Sequence, residues 1–127
     1  MTSIFQNIIW VALGGAIGSV LRYSITLFFK QMGWEHLPLG TLAVNVIGSI
    51  GIGIFYAFSS KNLPVEHLKP LVVIGILGGF TTFSSYISDT FLLMEKETLA
   101  IALSYFVITL LLGGLGFILG YKLYIKI

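Results

Sequence analysis

Polar residues divide this 127-residue chain into four apolar stretches, each long enough to cross a bilayer. A spanning helix rises about 1.5 Å per residue, so it needs roughly 20 apolar residues to cover a hydrocarbon core of about 30 Å. The first stretch runs over 4–29 and is interrupted by Asn7, Arg22 and a few hydroxyl residues. A polar link over 30–37 carries Trp34, a residue type that favours the membrane interface. The second stretch, 38–58, opens with Pro38, which suits the first turn of a helix. The polar segment 59–69 is the clearest loop; after it come a third stretch over 70–94, a short acidic-basic link at 95–97, a fourth over 98–121, and a basic tail. The pattern predicts an all-α membrane protein: one four-helix transmembrane domain over 1–127, with helices at about 4–29, 38–58, 70–94 and 98–121.

Composition supports this reading and closes off others. Hydrophobic residues make up 57% of the chain and charged residues 9%, against about 25% charged in a soluble domain. A small soluble domain is mostly surface and needs polar side chains to cover it. A disordered chain would be polar, and a nucleic-acid module would need a basic stripe. A net charge of +2 says little about partners, and the absence of cysteine excludes a disulfide framework and thiolate metal ligands. The first stretch is expected to stay in place, because it lacks the basic start and small-residue cleavage site of a signal peptide. That fits a bacterial inner membrane.

Four crossings put the N-terminus, the 59–69 loop and the C-terminus on one side. That side carries Lys61, Lys69, Lys122 and Lys126; the other carries Lys30 and Lys96, with Arg22 if it snorkels outward. Cytoplasmic loops attract Lys and Arg, and here the bias is weak, so the chain can insert both ways up. Opposed copies can then form an antiparallel two-fold dimer, the alternative being one fixed orientation with a modest bias. The glycines at 14, 18, 116 and 120, and the Ser49/Gly53 pair, have the spacing that lets helices approach closely in lipid. One copy has little interior, which also favours oligomerisation.

The centre of the third stretch is different. Gly75, Gly78 and Gly79 followed by Thr81, Thr82, Ser84 and Ser85 make a poor continuous helix. A break is expected there, with helices at about 70–76 and 82–94. Unwound backbone at membrane depth is tolerated only inside protein or beside a water-filled cavity, where its carbonyls can bind a cation and its N–H groups can face an anion. Other polar groups lie within the spans. Thr41 and Asn45 are four residues apart and share a helix face, as do Tyr105 and Thr109. Arg22 is the one cation placed within a span, and Asp89 the one acid. His36 and His67 fall in loops and suggest no site. No catalytic triad, metal-ligand cluster or phosphate loop is present, so enzyme activity is not expected.

Three motifs occur in one order: GGAIGSVLRY at 14–23, GTLAVNVIGS at 40–49 and GILGGFTTFSS at 75–85. In that order they resemble the Fluc (CrcB) family of fluoride channels over nearly the whole chain. The resemblance implies an antiparallel dual-topology homodimer with two pores that exports fluoride passively, and a structural sodium ion at its centre. It implies that Phe80 and Phe83 line the pores, with Asn45, and that Thr82, Tyr105 and Thr109 form a polar track. It also implies that the Gly75 and Gly78 carbonyls of both copies hold the sodium. Ser19 stands where the family usually has Ala, Tyr86 where Phe is common, and Asp89 where Glu is common.

These residue types suit the anion. Fluoride in hydrocarbon pays a large desolvation cost, while a fixed cation in the pore would hold it too tightly for conduction. A phenyl ring offers a positive edge. Phe80 and Phe83, three residues apart, are expected to present their edges along one path. The Asn45 amide and the hydroxyls of Thr41, Thr82, Tyr105 and Thr109 add donors, and Arg22 is a candidate for a vestibule. Two other readings compete. A small multidrug exporter has the same size and topology but needs a membrane-embedded Glu in its first helix, where this chain has only Arg22. A non-transporting assembly subunit would account for the glycine pairs but not for the polar centre of the third stretch.

Overall fold

The computed structural model describes residues 3–34, 36–61 and 64–125. Glu35, Asn62 and Leu63, which belong to two of the expected links, and Lys126, counted with the basic side, lie outside the described residues.

Helix α1 (Ile4–Gln31) starts at a capping box. The Ser3 hydroxyl accepts the Gln6 N–H at 3.2 Å, and the Gln6 side chain accepts the Ser3 N–H at 2.9 Å. The helix ends because Gly33 adopts a φ of 81°. That conformation lets Gly33 N–H reach the Lys30 carbonyl and Trp34 N–H the Phe29 carbonyl, a Schellman closure. Helix α2 (Leu39–Ser60) follows Pro38. A 3₁₀ turn (Glu66–Leu68) leads into α3, wound as a π-helix over Pro70–Leu77 and continued by one α-helical turn, Gly78–Phe80. Helix α4 (Phe83–Lys96) completes the third span, and α5 (Leu99–Ile125) is the fourth, with Thr98 Oγ1 accepting the Ile101 N–H at its start.

Four segments are long and apolar enough to cross a membrane: Ile4–Gln31, Leu39–Ser60, Glu66–Lys96 and Leu99–Leu123. Their outer faces are apolar. Val20, Leu110, Leu115 and Leu119 are exposed, whereas Thr41, Thr82, Thr90 and Thr109 are buried. This inverts the pattern of a water-soluble bundle, as expected when lipid is the solvent.

The bundle is held by two helix pairs, α1 against α3 and α2 against α5. Glycine sets both seams. Gly14 faces Leu71, Gly75 and Ile76 so closely that a Cβ there would lie 2.9 Å from the Gly75 Cα, and one on Gly18 would lie 2.8 Å from the Phe80 nitrogen. Gly53 lies against Phe117 and Tyr121, and Gly116 and Gly120 lie against Val46 and Ile50. These glycines bring helices of the same chain into contact.

The third span is broken, but later than the glycine run suggests. Gly78 has helical dihedrals and the helix runs on through Phe80; the extended residues are Thr81 (φ −81°, ψ 158°) and Thr82 (φ −152°, ψ 118°). The glycines stay helical because Gly75 and Gly79 lie against the backbone of Gly14 and Gly15 in α1, where a side chain would not fit. The break also separates Phe80, the last residue of α3, from Phe83, the first of α4. The two rings therefore do not share one helical face, as their spacing alone suggested.

Candidate functional site

The break is built around one side chain from another helix. Asn45, on α2, accepts the Thr82 N–H at 2.8 Å and donates Nδ2 to the Thr82 carbonyl at 3.0 Å. An extended peptide inside a membrane protein needs both of its polar groups satisfied, and this amide does so at both ends. Thr82 then caps α4, its hydroxyl accepting the Ser85 N–H at 3.2 Å. On the α3 side, Arg22 Nη1 donates to the Thr81 carbonyl at 3.3 Å. A cation at the C-terminal end of a helix also opposes the negative end of its dipole. Arg22 thus points inward to the break and lines neither of the cavities described below. The Thr81 hydroxyl bonds back to the Leu77 carbonyl at 2.9 Å.

Beside the break lies a cavity of about 440 Å³, lined by Asn45, Ser49, Thr81, Thr82, Phe83, Tyr86 and Thr109, with apolar and glycine residues completing the wall. It carries no charged side chain. Phe83 is 73% exposed on the protomer and lines the cavity, with its ring edge-on to Tyr86 at 6.0 Å. Phe80 is 6% exposed and packs beside Gly48, behind the wall. Tyr105 and Thr109 are buried on α5, and among the described residues neither hydroxyl has a hydrogen-bond partner. Thr41 and Thr109 flank the Tyr105 hydroxyl.

Thr41 joins this region to a second cavity of about 500 Å³ near one end of the bundle. There Thr41 Oγ1 donates to Asp89 Oδ2 at 2.6 Å, and Lys30, Lys96, His36 and Glu97 line the wall. Asn45, Thr82, Phe83 and Thr109 therefore share the central cavity; Thr41 lines the end cavity; Tyr105, Phe80 and Arg22 line neither. The pairing of Thr41 with Asp89 and the presence of Ser49 in the wall went unread in the sequence. Ser49 was reachable, since the same four-residue step that joins Thr41 to Asn45 leads to it.

Gly75 and Gly78 differ in setting. Gly75 is buried against α1, and its carbonyl accepts the Gly78 N–H. Gly78 is exposed on the protomer surface, one turn after exposed Ile74. A continuing helix would aim the Thr82 N–H at the Gly78 carbonyl; here that donor goes to Asn45. A neutral oxygen freed in this way, on an exposed face at mid-span, fits a site for a hard cation shared between two copies. Among the described residues no group of His, Asp or Glu is placed to hold a metal.

The sequence matches the family described as CrcB-like protein, Camphor Resistance (CrcB), over residues 9–121. Among similar proteins, one from Shewanella loihica named "Fluoride-specific ion channel FluC" is 46% identical over 91 residues, 72% of this chain and 73% of that protein. Another of that name, from Helicobacter pylori, is 44% identical over 117 residues, 91% of this chain and 90% of its own. The match takes in most or all of each of the four spans and every residue of the break, and on that ground the chain is a multi-pass bacterial membrane protein that belongs to the CrcB family.

Proposed function

We propose that this protein is a fluoride-specific channel, not an enzyme, and that it works as an antiparallel dual-topology homodimer with two pores. The observation that carries the reading is the uncharged central cavity, in which Asn45, Thr82, Phe83 and Thr109 meet beside a break in the third span. The names of the relatives support fluoride as the ion.

The donors there suit a small, strongly hydrated anion. The Asn45 NH₂ has two hydrogens; one is spent on the Thr82 carbonyl and the other remains for an ion. The hydroxyls of Tyr105 and Thr109 are buried without partners. Such a donor costs about 1–3 kcal/mol while unsatisfied, and a passing anion or water relieves it. The ion enters from the end cavity beside Lys30 and Lys96, passes Thr41, and follows Tyr105 and Thr109 to Asn45. Tyr105, Thr109 and Asn45 are neutral and singly weak, which permits release as well as entry; Thr41 holds its hydroxyl hydrogen on Asp89. At Phe83 the positive ring edge replaces part of the hydration shell. Phe80 shapes the wall from behind and contributes its edge only when the partner chain closes the path.

A second copy accounts for the exposure of Phe83 and Gly78 on the protomer surface. In this dimer the Gly78 carbonyls, with those of Gly75, hold a structural sodium ion, which ties the copies together and adds central positive charge. The deciding experiment is efflux from liposomes containing the purified protein, with fluoride or chloride as the internal anion. Rapid fluoride loss with chloride retained is expected. Equal release of both anions, or of neither, would overturn the reading.

A further inference from the structure

Helices α2 and α5 run side by side in the same direction and match in register along the polar path. Thr41 lies beside Tyr105, Asn45 and Thr109 share the cavity wall, and Gly53 lies against Phe117. Between the last two levels stand Ser49 and Gly113: a Cβ on Gly113 would lie 3.6 Å from Ser49 Oγ. At each of the first two levels both helices present a polar group. At the third, α5 presents only Gly113, and Ser49 supplies the one hydroxyl.

Ser49 is placed to use that hydroxyl on the path. It lines the central cavity one turn beyond Asn45. Ser24, Thr26 and Thr90 each donate to a carbonyl of their own helix four residues back, and Thr81 to the Leu77 carbonyl of α3, a recurrent use of a hydroxyl inside a membrane helix. Among the described residues the Ser49 hydroxyl makes no such bond. The missing side chain at Gly113 leaves a methyl-sized gap in front of it.

We infer that Ser49 is a further ion-binding residue of the path, its hydroxyl donating to the anion at the level beyond Asn45, where Gly113 makes room for the ion. This rests on the channel reading above. A hydrogen bond to a charged group is worth more than one between neutral groups, so its loss reduces fluoride flux about tenfold, the equivalent of roughly 1.4 kcal/mol.

The test moves the hydroxyl across the gap. Four proteins are compared in the liposome assay: the unmodified chain, Ser49→Ala, Ser49→Thr, and the double variant Ser49→Ala with Gly113→Ser. A Cβ at Gly113 makes only an ordinary contact, so serine fits there and directs its hydroxyl into the same space. Size-exclusion profiles confirm that each protein is folded. Flux is expected to fall about tenfold in Ser49→Ala and to recover in at least one hydroxyl-bearing variant. Unchanged flux in Ser49→Ala, or flux as low in both hydroxyl-bearing variants as in Ser49→Ala, would take Ser49 off the path. An unmodified chain that passes no fluoride would overturn the channel reading itself, a failure visible before any variant is compared.

Discussion

The Asn45 side chain holds the Thr82 peptide at both ends, accepting its N–H at 2.8 Å and donating to its carbonyl at 3.0 Å. One amide from α2 therefore takes over the bonds that a continuing third helix would have made for itself. The same amide lines the central cavity. Structural support for the break and, on the proposed path, contact with the ion are thus joined in one residue, and its substitutions test both.

Asn45→Ala removes both bonds and leaves the Thr82 peptide unsatisfied, which should cost about 1–3 kcal/mol of stability. Asn45→Asp still accepts the Thr82 N–H but cannot donate to the carbonyl, and it places a negative charge on the anion path. We expect Asp to lose at least as much thermal stability as Ala, because its unpaired charge faces the Thr82 carbonyl, and to pass less fluoride. Melting curves in detergent read the first effect and liposome efflux the second. Equal flux in the two variants would put Asn45 outside the path.

The two phenylalanines should separate in a similar way. Phe83 is 73% exposed on the protomer, so Phe83→Ile should change protomer stability by about 0.5 kcal/mol or less while cutting fluoride flux sharply, because Ile keeps bulk and loses the positive ring edge. Phe80 is buried beside Gly48, so Phe80→Ile should also cost about 1–3 kcal/mol through misfit packing. Wild-type flux in Phe83→Ile would return that ring to a packing role.

The spans were legible in the sequence because length and apolarity alone decide which segments can cross a bilayer. The observed bounds differ from the expected ones by a few residues at most helix ends. Polar pairs within one helix, such as Thr41 with Asn45, were legible because helical spacing fixes their shared face. The position of the break was not. Three glycines pointed to 75–79, but Gly75 and Gly79 serve close approach to α1 while Gly78 stays helical on the exposed face, and the Thr82 peptide at the actual break is held by Asn45 from 37 residues away. Arg22 on the Thr81 carbonyl and Thr41 on Asp89 are hidden for the same reason. Contacts between distant residues leave no periodicity to read.

The neighbouring glycines of α1 give a sharp contrast. A Cβ on Gly14 or Gly18 would meet α3 backbone, whereas one on Gly15 would have nothing within 4 Å. Gly14→Ala and Gly18→Ala should each destabilise by about 1–3 kcal/mol. Gly15→Ala should be neutral or stabilising by up to about 1 kcal/mol, since Ala is the better helix former. Thermal melts of the three variants check this directly. Similar losses in all three would mean that α1 packs differently against the third span.

Dual topology can be tested because the chain contains no cysteine. Single cysteines at Lys61 and Lys96, both exposed and at opposite ends of the bundle, should each be labelled in part from outside the cell. Labelling of only one position would establish a single orientation and exclude the antiparallel dimer.

The proposed cation site makes its own demand on Gly78. Within the protomer a Cβ there would meet only the Val73 carbonyl, at 3.4 Å, whereas one on Gly75 would lie 2.8 Å from the Gly14 Cα. Gly75→Val should therefore disrupt the protomer, and its failure would say little about sodium. Gly78→Val is the informative change: the protomer has room for it, but two copies meeting at this carbonyl, as proposed, would not. Neutral carbonyl oxygens suit a hard cation, which zinc, with its preference for nitrogen and sulfur, is not. We expect Gly78→Val to fold as a protomer and to lose both the dimer and fluoride flux. Prolonged exchange of sodium for a large inert cation should reproduce that loss in the unmodified chain, and sodium should restore it. A fully active, intact dimer after verified removal of the ion would leave the Gly78 carbonyl to water. The Thr81 hydroxyl cannot serve in its place, because it already donates to Leu77.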